Sequence, residues 1–400
     1  MGIIGIDFGT SNTSAAVLQD GRPRLIELEP GRTSVPTAVF LDFAAREMLF
    51  GSPAVEALVE GRDGRFLRAL KRVLGQPIMR EPRQLLNRRM TLVELVAQVL
   101  ALVKARAEAA TGESYDTVRA GRPVRFQAEP ERDAQAARDL EEAYRIAGFD
   151  TVHWRAEPEA AALACGIAEG TGLVVDIGGG TSDFTVFDAR DGRIRVRASH
   201  GVRLGGTDAD RALSLAHVMP RLGYGGLLHA EFGTNVTVAP QAPFQDMATW
   251  EKIGFLQTPE MEREARRWVK LADRPELFAR WAEVLEHGLG FDLAFAVEAA
   301  KIAGGQPIDL SVVEPGLAPP LDPGRMDRDL AELGDAVVDH ARIALEAAGQ
   351  DPARLDHVVY VGGSALLAPI RNRIEAAFPA ATPVDIAAFT AVADGLALES

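Results

Sequence analysis

Two short segments bring acidic, glycine and hydroxyl residues together in an order that suits phosphate chemistry. Residues 176–183 read D-I-G-G-G-T-S-D behind the apolar run 172–175, and residues 3–12 read I-I-G-I-D-F-G-T-S-N. In each, an apolar strand delivers an aspartate, Asp176 or Asp7, to a glycine turn with hydroxyls. A second β-type run follows, from Thr13 to Leu18 in one copy and from Thr185 to Phe187 in the other, which is the pattern of a hairpin. Two glycines suffice for a tight turn, so the third in Gly178, Gly179 and Gly180 points to backbone N–H groups brought against a bulky anion. A plain glycine-rich hairpin is the competing reading, and the second copy weakens it. An aspartate at the end of a buried strand is costly unless it is paired or near a metal ion. If both tips face one crevice, the two carboxylates approach each other with phosphates between them and need a cation. Mg²⁺ is the natural choice, because it keeps waters and is commonly held through one or two carboxylates plus substrate phosphates. Asp7 and Asp176 are therefore the predicted magnesium-holding residues, acting largely through metal-bound water.

The elements that must position these turns follow from length and spacing. The copies lie about 170 residues apart, too far for a solenoid repeat and suited to duplicated lobes of one domain size. A chain of 400 residues, 47% hydrophobic, can bury a large core in two or three domains. Residues 91–110 open with a Thr91/Glu94 capping box, and apolar positions recur at helical spacing behind it. Helices are also predicted over 130–147 and 329–348, stopped by Gly148 and Gly349, with the proline-rich 314–323 as a connecting loop. A net charge of −14 with no basic block excludes nucleic acid as a partner. With no signal peptide and no run of about 18 apolar residues, no membrane partner and a cytoplasmic location are expected. Cys165, the only cysteine, allows no internal disulfide and no thiolate metal site, and it reads as core.

Taken with V-V-Y-V-G-G-S at 358–364, the two acidic hairpins resemble the actin, sugar-kinase and heat-shock-chaperone ATPase superfamily. Within it the chain is similar to the ATPase domain of the seventy-kilodalton, DnaK-like heat-shock chaperones, through A-L-K-R-V-L-G at 69–75, A-E-P-E-A-A-A-L-A-C-G at 156–166 and L-G-G-T-D-A-D at 204–210. The resemblance implies an α/β, two-lobed actin-like (ribonuclease H-like) fold with a deep central nucleotide cleft. Lobe I would take 1–168 and 385–400, and lobe II 169–384, with an inserted cap subdomain at about 218–290 whose Trp250, Trp268 and Trp281 are read as core. It also implies ATP or ADP with Mg²⁺, weak hydrolysis to ADP and phosphate, and nucleotide-dependent conformational switching. A co-chaperone or client protein is the implied partner. No peptide-holding module follows A-V-A-D-G-L-A-L-E-S, so a stand-alone form is expected.

By the same resemblance, Lys71, Glu157, Asp176 and Thr181 form the catalytic set. Lys71 would bring compact positive charge to the attacking water and γ-phosphate as negative charge spreads over the equatorial oxygens. With five lysines against 38 arginines, a lysine at a motif position is informative, although R-F-L-R-A-L-K-R also reads as solvated charge. Glu157, ahead of Pro158 in a predicted helix to Ile167, would orient the water or couple the site to lobe movement; a helix cap is its other reading. Gly9, Thr10, Ser11, Gly178, Gly179, Gly180, Thr181, Gly205 and Gly206 would cradle the phosphates, and Asn12 would steady the first turn. Glu298 and Lys301, three apart in the predicted helix 295–305, would meet ribose and adenine; the alternative is a surface ion pair worth well under about 1 kcal/mol. Gly362, Gly363 and Ser364 would let the nucleotide approach a strand end.

Departures from the family pattern are equally specific. Ile302 and Leu366 stand where the family has arginines, and Gly305 where it often has serine. Loss of a stacked arginine at Leu366 costs about 0.5–2 kcal/mol, roughly three- to thirtyfold in affinity. Two other functions share the hairpins. An actin-like filament protein usually has a polar amide where Lys71 stands, and a small-molecule kinase needs a general base, for which Asp183 and Asp208 are the candidates.

Overall fold

The computed structural model describes residues 2–386 and 390–398 of the chain. Met1, and residues 387–389 and 399–400 of the segment 385–400 assigned to lobe I, lie outside the described residues. The fold is α/β, with several separate sheets and flanking helices. The chain divides into two compact units, one of Met1–Gly206, Asp335–Leu366 and Arg371–Ser400, the other of Thr207–Gly334 and Leu367–Ile370. Among the described residues no helix is long and apolar enough to cross a membrane.

Within the first unit, the segments that carry the two acidic turns build two sheets of one design. In the first sheet, β1 (Ile3–Phe8), β2 (Asn12–Gln19), β3 (Arg22–Leu25), β4 (Thr117–Arg122) and β5 (Thr151–Ala156) lie in the order β5-β4-β1-β2-β3. In the second, β6 (Gly170–Ile177), β7 (Ser182–Arg190), β8 (Arg193–Val202), β9 (His357–Val361) and β10 (Thr382–Asp385) lie in the order β10-β9-β6-β7-β8. Both repeat the same directions: first strand antiparallel to the second and parallel to the fourth, fourth parallel to the fifth. The central strands β1 and β6 bury Ile4, Ile6 and Phe8, and Leu173, Val174, Val175 and Ile177. Such a continuous apolar run is what a strand covered on both faces requires.

The helices follow local rules. Leu92–Thr111 carries the full reciprocal capping box between Thr91 and Glu94 and ends at Gly112 with φ +73°. Pro130–Ile146 stops before Gly148, whose φ is +92°. The helix predicted over 329–348 is Ala331–Ala347, because Asp329 closes a separate short helix, Pro323–Asp329. The helix opened by Glu157 and Pro158 ends at Ala164, one turn early. Cys165 caps it and is half-buried at the rim of an apolar cluster, not inside the core, with its Sγ 2.9 Å from the Ala162 carbonyl. In the second unit, Trp250, Trp268 and Trp281 are buried, and Phe244 lies 4.5 Å from Trp281 and 6.0 Å from Trp268 between ring centres.

The last described helix, Ala391–Ala397, is clamped onto the first sheet. Arg119 donates to the Leu396 and Leu398 carbonyls at 2.7 and 2.8 Å, and Arg155 to Gly395 and Leu398, both at 2.9 Å. Two guanidiniums thus satisfy carbonyls that a helix end leaves without partners. Gly395 lies so close to helix Glu157–Ala164 that a β-carbon on it would overlap the Ala160 carbonyl. Helix propensity alone favours Gly395→Ala by about 1 kcal/mol. Backbone cannot swing aside, so the substitution is expected instead to cost about 1–3 kcal/mol and lower the urea midpoint. A midpoint at or above that of the parent protein would show that the two helices can part freely.

Candidate functional site

The two turns have the same construction. Gly9 N–H donates to the Asn12 carbonyl and Gly178 N–H to the Thr181 carbonyl, each at 3.0 Å. Asp7 pairs in register with Ser14 and Asp176 with Asp183, so each aspartate sits at the same step before its turn. The turns also meet tip to tip. A β-carbon on Gly179 would overlap Ser11 Oγ, and one on Gly180 would lie 2.9 Å from Thr10 Oγ1 and 2.8 Å from Arg72 Cγ. Neither glycine has a positive φ, so the requirement at these positions is space. At Gly178 the nearest atom would be the Thr181 carbonyl oxygen, 3.7 Å away, so no neighbouring group among the described residues accounts for that glycine.

Two further glycine pairs close on the second tip. Gly206 N–H donates to the Gly178 carbonyl at 2.9 Å, and a β-carbon on Gly205 would come within 2.8 Å of the same oxygen. A side chain on Gly206 would overlap Ser364 Oγ. Gly362, with φ +77°, brings β9 against the Ile177 carbonyl, leaving 3.1 Å between its absent β-carbon and Asp176 Oδ1. Gly363–Leu366 then forms a single 3₁₀ turn.

Beneath the tips lies a buried ion pair. Lys71 Nζ is 2.5 Å from Glu157 Oε1, with the residues 5% and 7% exposed. Burial opposes the lysine charge, but Glu157, Asp7 and Asp183 outweigh it and hold the ammonium above its ordinary pKa. The carboxylates answer in the opposite direction. Burial, with Glu157 nearby, pushes Asp7 up to about 7 despite Lys71. Burial raises Asp176 well above the carboxylate range, reinforced by Glu157 and Asp7. Asp183 is raised for the same first cause, with Glu157 and Asp176 adding, although it accepts the Val124 N–H at 2.8 Å.

Four acidic side chains around one ammonium form a donor set short of positive charge, which suits a divalent cation. Among the described residues no group of three or more His, Cys, Asp or Glu is arranged to hold a metal by itself. A cation here would complete its shell with water and phosphate oxygens, which fits magnesium and a nucleotide.

The predicted residues divide between the two units. Asp7, Gly9 to Asn12, Lys71, Glu157, Asp176, Gly178 to Thr181, Gly205, Gly206 and Gly362 to Leu366 belong to the first, and Glu298 and Lys301 to the second. Lys301 is 5% exposed and pairs with Asp210 at 2.6 Å, which also accepts Trp250 Nε1 at 3.0 Å. The surface-pair reading of Lys301 is therefore set aside. Ile302 and Leu366 are 72% and 46% exposed. Asp208 is half-buried in helix Gly206–Leu213. Sequence reasoning missed Arg72, Gln127 and Arg203 as neighbours of the site, and it treated Asp183 only as a candidate kinase base. Adjacency to Lys71 and to Leu204-Gly205-Gly206 was the available signal for the two arginines; Gln127 had none.

Comparison with known proteins bears on the same segments. The family model described as Hsp70 protein matches residues 3–84 and 81–222, more than half of the chain. "Chaperone protein DnaK" of Thermoplasma acidophilum is 36% identical over 220 residues, 53% of this chain and 34% of that protein. The proteins of the same name from Elusimicrobium minutum and Nitrosopumilus maritimus are 36% and 33% identical over 221 and 219 residues, again 53% of this chain and 34% and 33% of theirs. The chain thus matches about a third of the length of these curated relatives. With its acidic hairpins, Lys71, Glu157 and Gly205-Gly206 all inside the matched segments, the chain belongs to the HSP70 family.

Proposed function

We propose that this protein binds Mg·ATP at the facing glycine turns, hydrolyses it slowly, and uses the difference between nucleotide states as a conformational switch read by a co-chaperone or client protein. The two-lobed form with a central cleft, with lobe I over 1–168 and 385–400, lobe II over 169–384 and a cap at about 218–290, is part of this proposal. The observation that carries it is the meeting of two equivalent Asp-Gly hairpins above the buried Lys71–Glu157 pair. The kinase alternative, with Asp183 or Asp208 as the general base, has no comparable geometric observation behind it.

In this reading the turn N–H groups and the hydroxyls of Thr10, Ser11 and Thr181 bind the phosphate oxygens. Lys71 faces the γ-phosphate with a charge that its carboxylate neighbours keep in place. Glu157, held by Lys71, orients the attacking water, whose oxygen forms the new P–O bond while the bridging oxygen leaves with ADP and the water's protons pass to the released phosphate and to solvent. Asp7 and Asp176 would hold magnesium through its waters, and the ion supplies charge neutralisation across the phosphates. The contacts assigned to Glu298 and Lys301 rest on the family resemblance alone. Ile302 and Leu366 predict weaker or less selective purine binding.

Mg·ATP at 100 times its dissociation constant should stabilise the protein by about 2.7 kcal/mol, read as a raised melting temperature. The absence of any shift at millimolar Mg·ATP would sink the proposal. Asp176→Asn should raise the magnesium concentration needed for half-maximal ATP binding by about tenfold; an unchanged requirement would place Asp176 outside the metal's reach. Lys71→Ala, checked for folding by circular dichroism, should lower kcat by about 10²-fold while the ATP dissociation constant stays within a few-fold. Turnover equal to the parent's would return Lys71 to a structural role.

A further inference from the structure

We propose that Arg203 is a positioning residue for Lys71, fixing the turn that carries the lysine against the second glycine tip. The inference rests on the catalytic reading of Lys71 given above. Lys71 sits in the 3₁₀ turn Leu70–Val73, which begins from Ala69 in the left-handed region at φ +59°. A non-glycine residue there is strained and persists only where its surroundings over-determine it. Two donors do so through one atom. The Arg72 carbonyl accepts Arg203 Nη2 at 3.0 Å and Gln127 Nε2 at 3.1 Å. Gln127, 1% exposed, also donates to the Leu74 carbonyl at 2.7 Å, and its own carbonyl accepts Arg203 Nη1 at 3.1 Å. The guanidinium fork therefore grips the turn directly and, through Gln127, a second time.

The other end of the link is the second hairpin. Arg203 directly follows β8, whose Val202 pairs with Ser182 at the start of β7. Ser182 Oγ donates to the Leu204 carbonyl at 2.8 Å, and Gly206 N–H reaches the Gly178 carbonyl at 2.9 Å. Arg72 itself leans on the tip, its Cγ at 2.8 Å from where a Gly180 β-carbon would stand. Arg203 thus joins the turn bearing Lys71 to the loop bearing Gly178–Thr181. Its loss would leave nucleotide contacts intact and let the lysine drift, and a displacement of about 1 Å can cost 10²-fold in rate.

The test is steady-state Mg·ATP hydrolysis by the full chain with Arg203→Met, Arg203→Lys, Lys71→Ala and the double variants, with urea midpoints measured in parallel. Arg203→Met keeps the length of the side chain and removes the donors. It is expected to lower kcat at least about tenfold with KM for Mg·ATP within about twofold, and Arg203→Lys should fall between it and the parent. In the Lys71→Ala background the same substitution should change kcat by less than about twofold, because the two residues act as one unit. A parental kcat in folded Arg203→Met overturns the inference, as does an equal fold-loss with and without Lys71, which would mark a purely structural role. Should Arg203→Met fail to fold, Arg203→Lys carries the same cycle. If Lys71→Ala itself leaves kcat unchanged, the reading of the site fails and takes this inference with it. If Lys71→Ala slows turnover and Arg203→Met does not, the inference alone fails.

Discussion

A lysine and a glutamate buried against each other beneath two glycine turns set the terms for everything around them. Removing either charge from water is costly, and the pair is tolerable because each ion is the other's solvent. The neighbouring aspartates tip the balance. Burial, reinforced by Glu157 and by one another's charge, drives the carboxyls of Asp7, Asp176 and Asp183 upward, while the same carboxylates hold the lysine charged. In the proposed reading a further cation would offset that bias, and the glycine tips beside it would offer N–H groups to the anion such a cation would bring.

The duplicated architecture is what allows the tips to meet. Two sheets that share one five-strand order, the first with an added strand Ser34–Pro36 on β2, place their first hairpins in equivalent positions, so the acidic residue precedes the turn by the same step in both. Glycine serves two separate needs here. At Gly362 the backbone requires a left-handed φ that side chains disfavour. At Gly179 and Gly180 the backbone is ordinary, and the opposite hairpin and Arg72 occupy the volume a side chain would take.

The family match and the departures from the family lie in different stretches. The matched segments end at residue 222 and include the hairpins, the buried pair and Gly205-Gly206. Ile302, Gly305 and Leu366 fall beyond them. Ile302, in the second unit, and Leu366, in the first, are exposed aliphatic side chains at positions where the sequence resemblance implies arginines.

What could be read from the sequence was local. The hairpins, the Thr91/Glu94 capping box, and the helix stops at Gly148 and Gly349 were legible because each depends on φ preference, side-chain alternation or a hydrogen bond spanning a few residues. The same local rules misjudged the end of the helix begun by Glu157 and the burial of Cys165, since packing of a small-residue helix against its neighbours decides both. Long-range partners were out of reach. Lys71 and Glu157 are 86 positions apart, and Arg203 reaches Arg72 across 131. Lys301 is buried against Asp210 although Glu298 stands one helical turn away. The amino-acid sequence by itself determined which residues could carry charge, turn sharply or cap a helix. Only the tertiary structure decided which of those charges would leave water together, because the cost of burial is settled by whatever the fold brings alongside.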